Sequence, residues 1–251
     1  MLPEIDLGGF ELKTFGLFFA LNFLAWGLVA HRRLRELDRP PDWAYEMVFV
    51  ALAGGLVGSR LDYILQNYDS VKDDLFGAVF SGGGLVWFGG VIGGTVSILL
   101  WAWWRGFLGL ALLDFCAVGL SLGYAIGRIG CQTSGDGDYG TASDLPWAMP
   151  YPDGTEPIAT DVHPTPIYET LAMGLSALVL WNLRDRVRPG VLFALYLVIA
   201  GTERLLVELI RRNDSVVAGL TVAQLISIGM IVAGVGWLVR WRGQFEPRAA
   251  V

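Results

Sequence analysis

Seven long apolar stretches divide this chain, at 14–30, 43–64, 83–104, 107–131, 165–183, 191–210 and 220–239. Each approaches the ~20 residues that a helix needs to cross a hydrocarbon core. Stretches three and four are parted only by Arg105 and Gly106, which predicts a tight helical hairpin. No linker, low-complexity tract or repeat subdivides the pattern. The expectation is an all-α polytopic membrane protein of seven transmembrane helices, forming a single membrane domain over 1–251 with an outer loop at about 134–163.

Composition agrees with a membrane setting. The 251 residues are 54% hydrophobic and 17% charged, with a mean hydropathy of +0.51, which is too apolar for an ordinary soluble domain. The formal net charge of -6 says little, because acids and bases fall in different linkers. Nothing resembles a nucleic-acid surface. Cys116 and Cys131 suggest no disulfide framework, and with the two histidines they make no zinc spacing, so no metal or cofactor is expected. Glu4, Asp6 and Glu11 precede the first base, Lys13, whereas a secretory signal begins with positive charge; the first stretch is therefore expected to be a retained helix.

The arginines orient the bundle. Arg32, Arg33, Arg35 and Arg39 follow stretch one, Arg105 follows three, Arg184, Arg186 and Arg188 follow five, and Arg240, Arg242 and Arg248 follow seven. In an up-and-down bundle these linkers share one side, which the positive-inside rule makes cytoplasmic. The amino terminus is then outside and the carboxyl terminus inside. The opposite linkers carry acids: Asp69, Asp73 and Asp74, then Asp136, Asp138, Asp144, Asp153, Glu156 and Asp161.

Charges inside the apolar stretches matter most, because an ionisable residue at membrane depth is costly and points to function. Arg60, Arg128 and Arg204 each come late in stretches that travel outward, which puts three guanidinium groups in the outer half of the bilayer. His163 and Glu169 begin a stretch travelling back from the same level, and Glu208 lies one turn beyond Arg204. Asp62, Glu169 and Glu208 are available partners. Guanidinium forks match phosphate oxygens, so the pattern points to a pocket for an anionic headgroup open to the outer leaflet. In Ser81–Gly94 the steps Gly89/Gly93 and Gly90/Gly94 predict close helix packing rather than a phosphate loop.

Several segments resemble the bacterial prolipoprotein diacylglyceryl transferases. GRIGCQTSGDGDYG is similar to that family's G-R-x-G-N-F-x-N-x-E-x-x-G signature, HPTPIYE to its HP(S/T)QLYE segment, and ERLLVELIRRND to its R-x-x-V-E-x-x-R segment; WFGGVIGG and GSRLDYIL match two further blocks. The resemblance implies a seven-helix protein of the bacterial cytoplasmic membrane. It also implies a reaction that moves the diacylglyceryl group of phosphatidylglycerol onto the lipobox cysteine of a prolipoprotein signal peptide and releases glycerol phosphate, with membrane lipids around the site and no cofactor.

On that resemblance Arg128 and Arg204 bind the phosphate, Arg60 assists, Glu208 orients Arg204, His163 and Tyr168 line the outer mouth, and Glu169, Phe88, Cys131, Ser134 and Phe15 line the pocket. Departures from the pattern are specific. Cys131 and Ser134 stand at asparagine positions, Asp136 at a glutamate position, Phe88 where many members have histidine, and Phe15 where they have tyrosine. A phenylalanine accepts no proton, which leaves Asp136, His163, Glu208 or the acceptor thiol's own ionisation to serve as base. Two further readings stay open: a paralogue that binds phospholipid but has another acceptor or no activity, and a lipid or solute transporter.

Overall fold

In the computed structural model the described residues are 1–6, 8–9, 11–80, 86–213, 216 and 219–240. Ser81, Arg242 and Arg248, named above, lie outside them, as do the first residues of stretch three and the last residue of ERLLVELIRRND. A short antiparallel hairpin, β1 (Glu4–Asp6) and β2 (Glu11–Lys13), leads into α1 (Thr14–Glu36). Then come α2 (Trp43–Gln66), two short helices, α3 (Tyr68–Val71) and α4 (Leu75–Phe80), and the long helices α5 (Trp87–Trp104) and α6 (Leu110–Ser134). A second hairpin, β3 (Met149–Tyr151) and β4 (Ile158–Val162), precedes α7 (Thr165–Leu183), α8 (Val191–Glu208) and α9 (Val222–Arg240). The helices α1, α2, α6 and α9 are long and apolar enough to cross a membrane, and the stretch Phe88–Trp104 is a shorter apolar helix. The fold is thus all-α, multi-pass and membrane-helical, with one small hairpin before α1 and another between α6 and α7.

The chain forms two compact units, one of residues 27–112 and one of residues 1–26 with 113–251. In the first, α2 and α5 approach through glycine. A Cβ at Gly58 would run into the carbonyl oxygen of Gly89, and one at Gly93 into that of Gly54. The expected packing role of Gly89 and Gly93 is therefore met by Gly54 and Gly58 across the contact, and small residues are what allow backbones this close. Ser59 Oγ donates to the Val86 carbonyl at 2.8 Å, and Asp62 accepts the Gly89 N–H at 3.0 Å, so Asp62 serves this packing. At the other end of α2, Glu46 accepts from Trp101 Nε1 (2.8 Å) and Arg105 Nε (2.9 Å).

In the second unit α6 is the central strut. Its Gly119, Gly123 and Gly130 face Trp26, Asn22 and Phe18 of α1, where any larger residue would collide. Ala125 packs with Met173 of α7 and Ala200 of α8, with Tyr124, Tyr196 and Met230 closing over them. Asp114 caps α8 by accepting the Gly190 N–H (2.6 Å) and Phe193 N–H (2.9 Å), which satisfies two of the orphan donors of a helix start. Gly201 and Gly234 let α8 and α9 pack backbone to backbone. The result brings the carboxyl-terminal ends of α6 and α8 against the start of α7.

Candidate active site

Glu169, fully buried on the first turns of α7, is the hub of a charge cluster. Its Oε1 accepts from Tyr124 Oη at 2.6 Å and Arg204 Nη1 at 3.3 Å. Its Oε2 meets Arg128 Nε at 3.2 Å and Arg211 Nη2 at 3.3 Å. Three arginines from two helices and the turn after α8 therefore converge on one carboxylate. Such a hub is affordable only because every oxygen is engaged, since a buried charge without partners costs several kcal/mol.

Two further acids complete the cluster. Asp138 pairs with Arg128 and, at 2.9 Å, with Arg211 Nη1, and its backbone carbonyl accepts from Arg211 Nη2 at 3.1 Å. Glu208 Oε2 lies 2.9 Å from Arg204 Nη2, one helical turn back, while its Oε1 accepts from Asn213 Nδ2 (2.8 Å) and Thr221 Oγ1 (2.7 Å). Tyr124, one turn before Arg128, carries that guanidinium over its ring at 4.9 Å. The Arg211 side chain is 7% exposed, and among the described residues its Nε–H has no hydrogen-bond partner.

The loop after α6 returns Asp138 to the cluster because Gly135 (φ +61°) and Gly137 (φ +90°) adopt left-handed backbone that larger residues resist. Beyond it, Gly140 donates to the His163 carbonyl (2.8 Å) and Thr141 to the Ile210 carbonyl (2.8 Å), tying the loop to α7 and α8. Tyr139 stacks on Tyr151 with ring centroids 4.8 Å apart, and Tyr151 Oη donates to Gln132 at 2.8 Å.

The residues expected from sequence distribute unevenly. Arg128, Arg204, Glu169 and Glu208 meet in the cluster. His163 Nδ1 is 3.4 Å from Tyr168 Oη, and Tyr168 Oη accepts from the exposed Trp147 Nε1 at 2.7 Å. Asp136 accepts the Asp138 N–H at 3.4 Å, and the acid on Arg128 is Asp138, two residues further on. Ser134 Oγ, on the last residue of α6, donates back to the Gly130 carbonyl at 2.8 Å. Cys131 is buried, with Sγ 3.7 Å from Arg128 Nη1. Phe15, half-exposed on α1, lies against Gly130. Arg60 and Phe88 belong to the other unit: Arg60 is buried with its guanidinium 4.9 Å from the Tyr63 ring centroid, and Phe88 is half-exposed at the start of α5. Sequence reasoning passed over Tyr124, Asp138 and Glu203 and gave Arg211 little weight.

Cys131, Asp136 and Asp138 place potential ligand atoms within 4.8 Å of one another. Arg128 and Arg211 already engage Asp138, so its carboxylate is committed to guanidinium partners. A buried guanidinium donor without a partner suits an anionic oxygen.

A family profile described as prolipoprotein diacylglyceryl transferase matches residues 4–240. The chain belongs to this family. Similar relatives, each named phosphatidylglycerol–prolipoprotein diacylglyceryl transferase, include those of Rhodospirillum centenum, 33% identical over 94% of this chain and 90% of the relative, Methylobacillus flagellatus, 32% over 94% of each, and Clostridium tetani, 30% over 92% of this chain and 93% of the relative. Family membership extends over both compact units.

The pH behaviour of the cluster follows from Asp138, which lies outside the membrane helices. Burial alone would push its carboxyl up, but the guanidinium groups of Arg128 and Arg211 outweigh burial and hold it below the ordinary range. A carboxyl lowered by folding stabilises the fold above its unfolded value of ~3.9, and that contribution is lost as pH falls through the folded value. Asp138→Asn is expected to cost about 2 kcal/mol near neutral pH, less than a fully buried pair because a third of the side chain is exposed. Thermal unfolding in detergent should show the gap between the variant and the parent closing below about pH 4; a gap that stays constant with pH would rule out the ion pairs as its cause.

Proposed function

We propose that this chain transfers the diacylglyceryl group of phosphatidylglycerol to the lipobox cysteine thiol of prolipoproteins and releases glycerol phosphate, at the outer face of the bacterial cytoplasmic membrane. The observation that carries this reading is the convergence of Arg128, Arg204 and Arg211 on the buried Glu169. The proposed topology has seven membrane spans, 14–36, 43–66, 87–104, 110–134, 165–183, 191–208 and 222–240, with the amino terminus outside and the carboxyl terminus cytoplasmic. It is supported by Arg32, Arg33, Arg35, Arg39, Arg105, Arg184, Arg186, Arg188 and Arg240, which all fall at one end of alternate helices.

In the proposed mechanism the guanidinium groups grip the lipid phosphate and hold it while charge builds on the leaving oxygen. The sulfur–carbon bond forms as the carbon–oxygen bond to phosphate breaks, and the electron pair stays with glycerol phosphate. Fixed cations aimed at that oxygen lower the barrier because they need no reorganisation during the reaction. Glu169 and Glu208 prevent the arginines from turning away when the site is empty, which keeps the clamp formed in advance.

The test is transfer of labelled diacylglycerol from phosphatidylglycerol to a lipobox peptide by the purified protein, with a Cys→Ser peptide as control. Label is expected only on the cysteine peptide. Phe88 in place of the histidine of many members favours one other reading, a paralogue with a different acceptor, and absence of transfer with phosphatidylglycerol still bound would select it.

A further inference from the structure

Glu203 immediately precedes Arg204 on α8 and is 9% exposed. Its Oε1 is buried and meets no hydrogen-bond donor among the described residues. Ala200 and Val207, three residues before and four after, are buried on the same face of α8. Ala200 packs on Ala125 and Met173, so Glu203 stands above that contact, where α6, α7 and α8 meet.

The charged and titratable groups in electrostatic reach of Glu203 are Tyr124 and Arg128 from α6, Glu169 from α7, Tyr196 and Arg204 from α8, and Arg211 just beyond it. The other acids there are committed. Glu169 is engaged through both oxygens, Asp138 pairs with two arginines, and Glu208 meets Asn213, Thr221 and Arg204. Three guanidinium groups are thus matched by three carboxylates. Glu203 is a fourth acid beside them with an oxygen still open.

Neither of the other bases suggested by the sequence offers the same thing: Asp136 accepts a backbone N–H, and His163 faces Tyr168. We infer that Glu203 is the proton acceptor for the incoming thiol, an assignment that rests on the transferase reading above. In the step, the S–H bond breaks and its proton passes to the Glu203 carboxylate. The sulfur then forms its bond to the diacylglyceryl carbon, and the carbon–oxygen bond breaks with its electrons going to the phosphate. The proton leaves Glu203 for the released glycerol phosphate, which restores the carboxylate. Protons and charge balance with no further reactant, and Arg204, the next residue, holds the phosphate that receives the proton.

Glu203→Gln keeps size and removes the acceptor. Near pH 7 its transfer to the lipobox peptide should fall about 100-fold, the lower end of what a general base contributes, with phosphatidylglycerol binding retained. Near pH 9 the deficit should shrink to about tenfold or less, because a free thiol with an ordinary pKa of about 8.5 ionises unaided. Glu203→Ala, which leaves room for a small acid, should regain activity with added formate, a response that lost packing cannot give. A Glu203→Gln rate within about threefold of the parent near pH 7, or a loss equal at both pH values and unmoved by formate in Glu203→Ala, overturns the assignment while the transferase reading stands. A parent protein that performs no transfer overturns both.

Discussion

Arg128→Ala is expected to lower diacylglyceryl transfer by at least about 1,000-fold while the protein still inserts and folds, and Arg204→Ala by a similar factor. Removing one fixed donor from a developing oxyanion costs about 100- to 1,000-fold in comparable sites, and each of these arginines supplies a full charge in addition. The side chains are 16% and 22% exposed, so neither arginine is sealed off as Glu169 is. Arg128→Lys separates charge from geometry. A lysine keeps the charge but cannot bridge Glu169 and Asp138 as the fork does, so the variant should recover only a small fraction of activity. Turnover with the labelled lipid and size-exclusion profiles in detergent are the two readouts. Full activity in both alanine variants would remove the phosphate clamp from the mechanism.

Glu169→Ala is expected to act on the fold before it acts on chemistry. The substitution leaves Arg128, Arg204 and Arg211 without the carboxylate they share and Tyr124 Oη without its acceptor. Removing one partner of a buried pair costs about 3–5 kcal/mol, and here three pairs are affected, although Asp138 and Glu208 still hold the arginines from the other side. The expected outcome is a large fall in the thermal midpoint of the detergent-solubilised protein and poor recovery after purification. Glu169→Gln keeps the acceptor for Tyr124 and should unfold at a temperature between those of the parent and Glu169→Ala. If Glu169→Ala unfolded at the parental temperature, the hub would carry little of the stability of this unit.

The helical frame was legible because apolar length is written directly in the chain. Each of the seven stretches holds a helix among the described residues, and four of these helices are long and apolar enough to cross a membrane. The apolar stretch four ends at Cys131, whereas α6 runs to Ser134, with Thr133 and Ser134 turning their hydroxyls onto carbonyls one turn back instead of breaking the helix. The hairpins β1–β2 and β3–β4 were not foreseen: their strands are only three to five residues long and show no sustained alternation.

The site was legible in proportion to the cost of each charge. Arg128, Arg204 and Glu208 stand inside apolar stretches and Glu169 near the start of one, where an ionisable group announces itself. Asp138 and Arg211 lie among other polar residues, and nothing in their local sequence distinguishes them from solvated charges. Their roles come from the Gly135–Gly137 turn and from the end of α8, which are tertiary facts. Glu203 did carry a signal, as a second charge beside Arg204 within an apolar stretch, but the sequence does not say what it faces. Successive helical residues point about 100° apart, and the open oxygen of Glu203 becomes visible only when α6, α7 and α8 are together.

The central claim is that the arginine cluster holds a lipid phosphate, and the most direct measurement is the phospholipid retained by the purified protein. Native mass spectrometry of the parent and of the Arg128→Ala/Arg204→Ala double variant, both released from the same detergent, reports it. The parent should carry one phosphatidylglycerol that survives at activation energies removing zwitterionic lipid, and the double variant should lose it at the same folded charge state. Equal retention by both proteins, or no preference for the anionic lipid in the parent, would contradict the claim.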